Sequence, residues 1–317
     1  MTGLLLRRAA AVPVTLVVAS LLVFLATEIL PGDVARTVLG REASDASVAR
    51  LHAQLGLDQP LLARYAHWAG DFLTGHWGTS YTLDVPVRDL VLGRLGNSLL
   101  LAMFAFVLLV PVSLTVGVLS GLHHDRPLDR VLSALGLVFA ATPEFVTGVV
   151  LLVVFAVDLK WLPASAQTDP GAGLGAQLTH LVLPAVSLVL LCTGYVARHV
   201  RANTVSVVDS AFVRAARLRG STGAQVIRRH VLRNSTVPAV SALGVQAQFL
   251  LGGLVAVELL FNYPGVGALL LNSALDKDLP TLQATAVVLG LLYILIMFAV
   301  DVVHRLLDPR IRHGVIA

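Results

Sequence analysis

Uncharged apolar runs recur along this chain at lengths that match a lipid bilayer. A helix needs about 20 apolar residues to cross roughly 30 Å of hydrocarbon. Six segments qualify: 9–27, 97–122, 131–157, 180–197, 235–257 and 279–300. Among them only 131–157 carries a charge, Glu144. The pattern predicts an all-α integral membrane protein of six spans, with polar stretches confined to the connections. The first run follows Arg7 and Arg8, as in a signal peptide. It is read as a retained span, because its apolar core is long and Thr27-Glu28 offers no small-residue cleavage site.

The connections divide into two kinds. Segment 31–96 is too long for a simple link. Within it, 44–57 has a helical pattern with Asp45 as a candidate cap and Val48, Leu51 and Leu55 on one face. Segment 61–73 repeats the pattern with Leu62, Tyr65, Ala66 and Phe72. These apolar faces are expected to bury against the spans. Loop 198–235 is short, basic and ordered by its sequence. Asp209 is a candidate cap for a short helix over 210–219, Gly220 a left-handed closure, and Thr222 with Gln225 a capping box for a second helix. Such a pair can be a docking element, with Ala215 and Ala216 letting a partner approach closely. It can equally be a basic loop against anionic lipid. The expected organisation is a first span over 1–30, a cap segment over 31–96, a core over 97–305 containing loop 198–235, and a tail over 306–317.

Composition sharpens this reading. Of 317 residues, 56% are hydrophobic and only 13% charged, which excludes a disordered chain and disfavours a soluble one. The net charge is +4, with two lysines, Lys160 and Lys277. Arginines crowd the loops that follow the second, fourth and sixth spans, so the cationic excess sets topology and calls for no nucleic acid. It places both termini in the cytoplasm and segment 31–96 outside. One cysteine, Cys192, excludes an internal disulfide and a multi-cysteine metal site. The paired His123 and His124 are adjacent residues in a short turn, a spacing that does not suit one metal. An ATP-binding loop needs Gly-Lys-Ser/Thr, and neither lysine supplies it.

Charges within spans default to functional hypotheses. Glu144 follows Pro143 in the middle of a run. It can meet a cationic group on a transport pathway, or be a structural carboxylate. Glu258 ends the fifth run, where a solvated carboxylate costs little; the same two readings apply. No His-Glu-x-x-His or Gly-x-Ser-x-Gly motif occurs.

The residues Phe212, Arg214, Ala215, Ala216, Arg217, Arg219 and Gly220, followed by Arg229, His230, Arg233, Asn234 and Pro238, resemble the cytoplasmic loop of bacterial ABC importer permeases. The likeness is strongest to the B-type subunit of the dipeptide/oligopeptide/nickel branch. Arg214 stands where the general loop pattern has Glu, a departure common in the peptide branch. Further matches lie at 30–33, 55–61, 77–80, 161–163, 307–312 and around Glu258, Phe261 and 263–267. This resemblance implies a type I importer permease fold of six helices. It implies a second permease of the C type, two ABC ATPase subunits that bind ATP and magnesium, and an extracytoplasmic substrate-binding protein. The chain itself would hold no cofactor. Residues 212–220 would couple it to an ATPase, and the cargo would be a di- or oligopeptide, with nickel or haem as alternatives. A stand-alone proton-coupled carrier using Glu144, or a membrane enzyme, stays open from the residues alone.

Overall fold

Hydrocarbon offers no partner for a bare backbone amide, so a spanning segment must close its hydrogen bonds internally. The computed structural model of the protein describes residues 2–29, 44–54, 59–169, 171–232, 235 and 239–307. Among these the backbone is helical, apart from loops and one isolated bridge between Thr79 and Pro86. In order the helices are α1 (Thr2–Ile29), α2 (Asp45–Gln54), α3 (Leu61–Thr74), α4 (Val87–Leu122), α5 (Pro127–Ala141) and α6 (Glu144–Leu151). Then come α7 (Leu174–Val208), α8 (Ala211–Leu218), α9 (Gly223–Val226), α10 (Ala239–Leu260), α11 (Val266–Leu275) and α12 (Leu279–Leu307). Wider π-turns continue α6 over Leu152–Asp158 and α9 over Ile227–Val231.

Helices α1, α4, α7, α10 and α12 are long and apolar enough to cross a membrane. The run 131–157, expected as one span, is instead the pair α5 and α6, bent by 110°. Proline explains the break. Pro143 disfavours helical backbone in the residue before it, and Thr142 adopts φ −98°, ψ 127°. Six spans result when the bent pair is counted as one.

The chain forms two compact units. The first comprises Met1–Ser98 and Pro264–Leu295. Its core gathers Val87, Val91, Val266, Leu269, Ala284 and Val288. Of the face expected on α3, Tyr65 and Phe72 are half-buried, whereas Leu62 is 80% exposed and Ala66 is exposed as well, so the helix packs through its aromatic rings. Phe24 of α1 begins a ladder of ring contacts through Tyr65, Trp68, Phe72 and Trp77. Beside it Arg64 grips Glu28 with two hydrogen bonds, of 2.8 and 2.6 Å. On α2, Val48 is buried as expected. Its cap is Ser44, whose hydroxyl accepts from the Ser47 amide at 3.2 Å, and Asp45 sits within the first turn. Gly75, at φ 84°, closes α3.

One carboxylate organises this unit. Asp278 is 1% exposed and precedes α12. It accepts from the hydroxyls of Ser80, Thr82 and Thr281 and from the amides of Tyr81 and Thr281. The turn at 80–83 is thereby tied to the start of α12. Burial, and then the nearby Asp278 charge, raise the Tyr81 phenol above its ordinary value.

The second unit comprises Leu99–Tyr263 and Ile296–Ala317. Its core is built on α7, with Leu181, Leu188, Val196 and Val200 meeting Leu101, Leu109, Leu250 and Leu254. Glycines bring the backbones together. A Cβ on Gly194 would lie 2.1 Å from the carbonyl oxygen of Gly136 on α5, and one on Gly253 would lie 2.8 Å from Leu188. Gly252, its neighbour, faces open space. The pair 252–253 therefore packs tightly through one member only.

Two outcomes follow. Asp278→Ala strands several buried donors at about 1–3 kcal/mol each. It is expected to lower the melting temperature of the purified protein and to open the 80–86 turn to protease. Gly194→Ala is expected to cost about 1–3 kcal/mol by overpacking, while Gly252→Ala is neutral or slightly stabilising. Thermal unfolding of the two variants side by side checks this; equal stability would contradict the close α5–α7 contact.

Candidate functional site

Helix α7 has 35 residues, a length of about 52 Å at 1.5 Å per residue. That exceeds the hydrocarbon thickness, so α7 extends past the bilayer and carries loop 198–235 with it. Asp209 ends α7 as its last cap, so it does not cap α8 as its position suggested. Ser210 takes that place in extended backbone, and its hydroxyl donates back to the Val207 carbonyl.

Helix α8 is short and strongly two-faced. Val213 and Ala216 are buried, and Val213 joins Val226, Val231, Leu122, Val207 and Val208 in a small apolar cluster. Phe212, Arg214, Arg217, Leu218, Arg219 and Gly220 are exposed, and Ala215 is half-buried. This corrects the expectation for Ala216. At 1% exposure it cannot meet a partner, and its small size serves contact within the loop itself. Ala215 and Gly220 remain accessible.

The helix end is built as the sequence indicates. Gly220 has φ +85°. The Gly220 amide donates to the Arg217 carbonyl at 3.0 Å and the Ser221 amide to Ala216 at 3.1 Å. This double closure is the Schellman pattern. Thr222 and Gln225 then exchange hydrogen bonds of 3.3 and 3.0 Å, forming the expected capping box. One stop and one start within a few residues set the angle between α8 and α9. The site displays a face of Arg214, Arg217 and Arg219 around Leu218, which is 89% exposed. Exposed arginine and apolar groups together suit an acidic protein surface with an apolar pocket. Leu218 was absent from the sequence-based set. Its signal was its phase: it falls off the Val213–Ala216 face. Arg233, Asn234 and Pro238, and the matches at 30–33, 55–58 and 308–312, lie outside the described residues.

The two candidate pathway carboxylates have different surroundings. Glu144 opens α6 just after the 110° bend, half-buried, where the helix dipole favours an anion. Gly253 makes room for it: a Cβ there would sit 3.6 Å from Glu144 Cγ. Glu258, expected to be solvated, is 0% exposed. It lies in the last turn of α10, and the chain folds back so that the Tyr263 amide donates to the Glu258 carbonyl at 2.7 Å. Burial, and then the nearby Glu258 carboxylate, push the Tyr263 phenol up to about 12. The same turn receives the Ala166 amide on the Phe261 carbonyl at 2.7 Å. Glu258 thus belongs to a packed turn, whereas Glu144 keeps partial access.

Residues 113–313 match the family described as "Binding-protein-dependent transport system inner membrane component", and residues 1–102 match its N-terminal counterpart. A probable peptide ABC transporter permease of Sinorhizobium fredii is 32% identical over 98% of this chain and 99% of its own length. A putative peptide transport system permease of Brucella abortus is 35% identical over 99% of this chain and 100% of its own. A glutathione transport system permease of Salmonella choleraesuis gives the same figures, 35%, 99% and 100%. Among solved structures, a chain of the MetNI methionine ABC transporter in inward-facing conformations covers 70% of this chain and 98% of its own length, at 20% identity and a TM-score of 0.58. That likeness gives the fold, the type I importer permease. The chain belongs to the inner membrane components of binding-protein-dependent transport systems, the multi-pass permeases of ABC importers.

Proposed function

We propose that this permease carries short peptides into the cytoplasm, driven by ATP that separate subunits bind with magnesium and hydrolyse. The observation that carries the coupling is the α8–α9 pair, projected beyond the bilayer with Leu218 ringed by arginines. Its partner is one of two ABC ATPase subunits, with an acidic, partly apolar groove. Phe212, Arg214, Ala215, Arg217, Leu218, Arg219 and Gly220 form the contact, and Ala216 holds its shape from within. A second, C-type permease completes the pathway, and a substrate-binding protein delivers cargo from outside. Both termini lie in the cytoplasm, a reading supported by the arginine-rich loops. Peptide as cargo is supported by the names of full-length relatives. Nickel is the weaker reading, since Met103 and Met297 are the only soft side chains besides Cys192 in the apolar runs. The bound partners give the loop a purpose that a stand-alone carrier or a membrane enzyme lacks.

Leu218→Asp alters an exposed position, so insertion and thermal stability are expected to persist. Association with the ATPase should fall by about tenfold, the loss typical of an apolar anchor. Gly220→Val, forced into a left-handed backbone at about 1–2 kcal/mol, is expected to uncouple hydrolysis from uptake. Co-purification from membranes and peptide uptake in vesicles check both. Normal coupling in either variant would sink the docking assignment.

Glu144→Gln keeps shape and hydrogen bonding without charge. Peptide uptake within about threefold of wild type is expected, because the carboxylate's helix-terminal position gives it a structural role. Complete loss of uptake with the assembled complex intact would instead assign Glu144 to the pathway.

A further inference from the structure

At the base of the α8–α9 pair lies a third buried carboxylate. Asp129, in the first turn of α5, is 2% exposed. Arg201 of α7 meets it with a two-pronged contact, Nε to Oδ1 and Nη2 to Oδ2, both 2.6 Å. The Asp125 amide donates to Oδ2 at 2.9 Å, Ser133 donates to Oδ1 at 3.3 Å, and the Ser120 hydroxyl donates to Oδ1 as well. One side chain therefore holds the last turn of α4, the turn at 123–126, the start of α5, and α7. Close packing removes slack beside it. A Cβ on Gly117 would lie 2.5 Å from Val200, and one on Gly121 2.6 Å from Thr204.

The α8–α9 pair rests on the two helices that this carboxylate joins. Val207 and Val208, about two turns beyond Arg201, and Leu122, two residues beyond Ser120, are the outer members of its apolar cluster. Helix α5, which carries Asp129, leads to the bend at Thr142–Pro143 and to Glu144. A guanidinium fork fixes orientation as well as distance. For stability alone, well-packed apolar groups would serve as well at such a position.

We infer that Asp129 and Arg201 are positioning residues for energy coupling: they lock the ends of α4, α5 and α7 into one body, so that a shift of the α8–α9 pair moves α5 and its bend instead of being absorbed locally. This rests on the reading of α8–α9 as the ATPase contact. The two can be tested in one set of preparations. The complete importer, with its ATPases and binding protein, is reconstituted in liposomes as wild type, Arg201→Lys and Gly220→Val. Bound ATPase, basal hydrolysis, stimulation by the loaded binding protein, and peptide uptake are measured in each. Lysine keeps the charge and loses the fork. Arg201→Lys is expected to retain the ATPase and basal hydrolysis, while stimulation and uptake fall about tenfold, within the range seen for coupling residues. A merely structural role would lower all four readings in proportion to the complex recovered, and that result overturns the inference. Wild-type stimulation in Arg201→Lys with Gly220→Val uncoupled overturns it too, and leaves the docking assignment standing. Normal coupling in Gly220→Val removes the docking assignment itself. Should the lysine variant fail to assemble, Ser133→Ala removes one hydrogen bond from the same carboxylate and keeps the fork. Stimulation is then expected to fall about threefold with basal hydrolysis unchanged, and an unchanged ratio overturns the inference.

Discussion

A carboxylate removed from water must be met by donors, and the architecture described here depends on that demand at two places. Within the bilayer the helices satisfy their own backbones and pack through apolar side chains and glycine. Such contacts set distance but hold direction weakly. Direction is set at the helix ends. Asp278 gathers hydroxyls and amides from the 80–82 turn and from the start of α12. Asp129 gathers the ends of α4, α5 and α7. Each sits in the first turn of a helix or at its cap, where the dipole already favours negative charge. Each recruits partners from far along the chain, so one residue fixes the mutual placement of several elements.

The loop after α7 obeys the opposite logic. Its inward contacts are few, small and apolar, and its outward face is charged and partly apolar. Its stiffness comes from local stops: an extended Ser210, a left-handed Gly220 and the Thr222–Gln225 box. A surface that must engage another protein gains from being formed in advance, since less ordering is needed on contact. The helix pair achieves this with a handful of side chains.

The long spans, the helices at 45–54 and 61–74, and the turn chemistry around Gly220 were all legible in the sequence, because period and stop residues are local signals. What could not be read was the fate of individual polar side chains. Nothing local marks Asp278, whose donors at 80–82 lie nearly two hundred residues away. Asp129 lies between Arg126 and Arg130 in sequence, with no local sign that its partner is Arg201. Glu258 was placed in solvent by its position at the end of an apolar run. The chain instead turns back over it through Tyr263. Ala216 was read as an outward small residue, and only the rotation of α8 shows that it faces Val213's side. The 110° break at Thr142–Pro143 was half visible, since the proline was noted and the magnitude of its effect was not.

The contact between Gly136 and Gly194 leaves no room for a side chain on α7 and little on α5, where a Cβ would lie 3.3 Å from Gly194 Cα. It also falls part-way along α7, with the remaining residues to Val208 reaching about 21 Å further. Seven residues further on, Arg201 clamps the same two helices through Asp129, so α5 and α7 are joined at two points and can swing together as one lever. A swing of that lever by about 10° would carry Val208 sideways by roughly 4 Å, about two-thirds of a helical pitch. Close backbone contact at one point and a charged clamp at the next thereby give the long helix leverage.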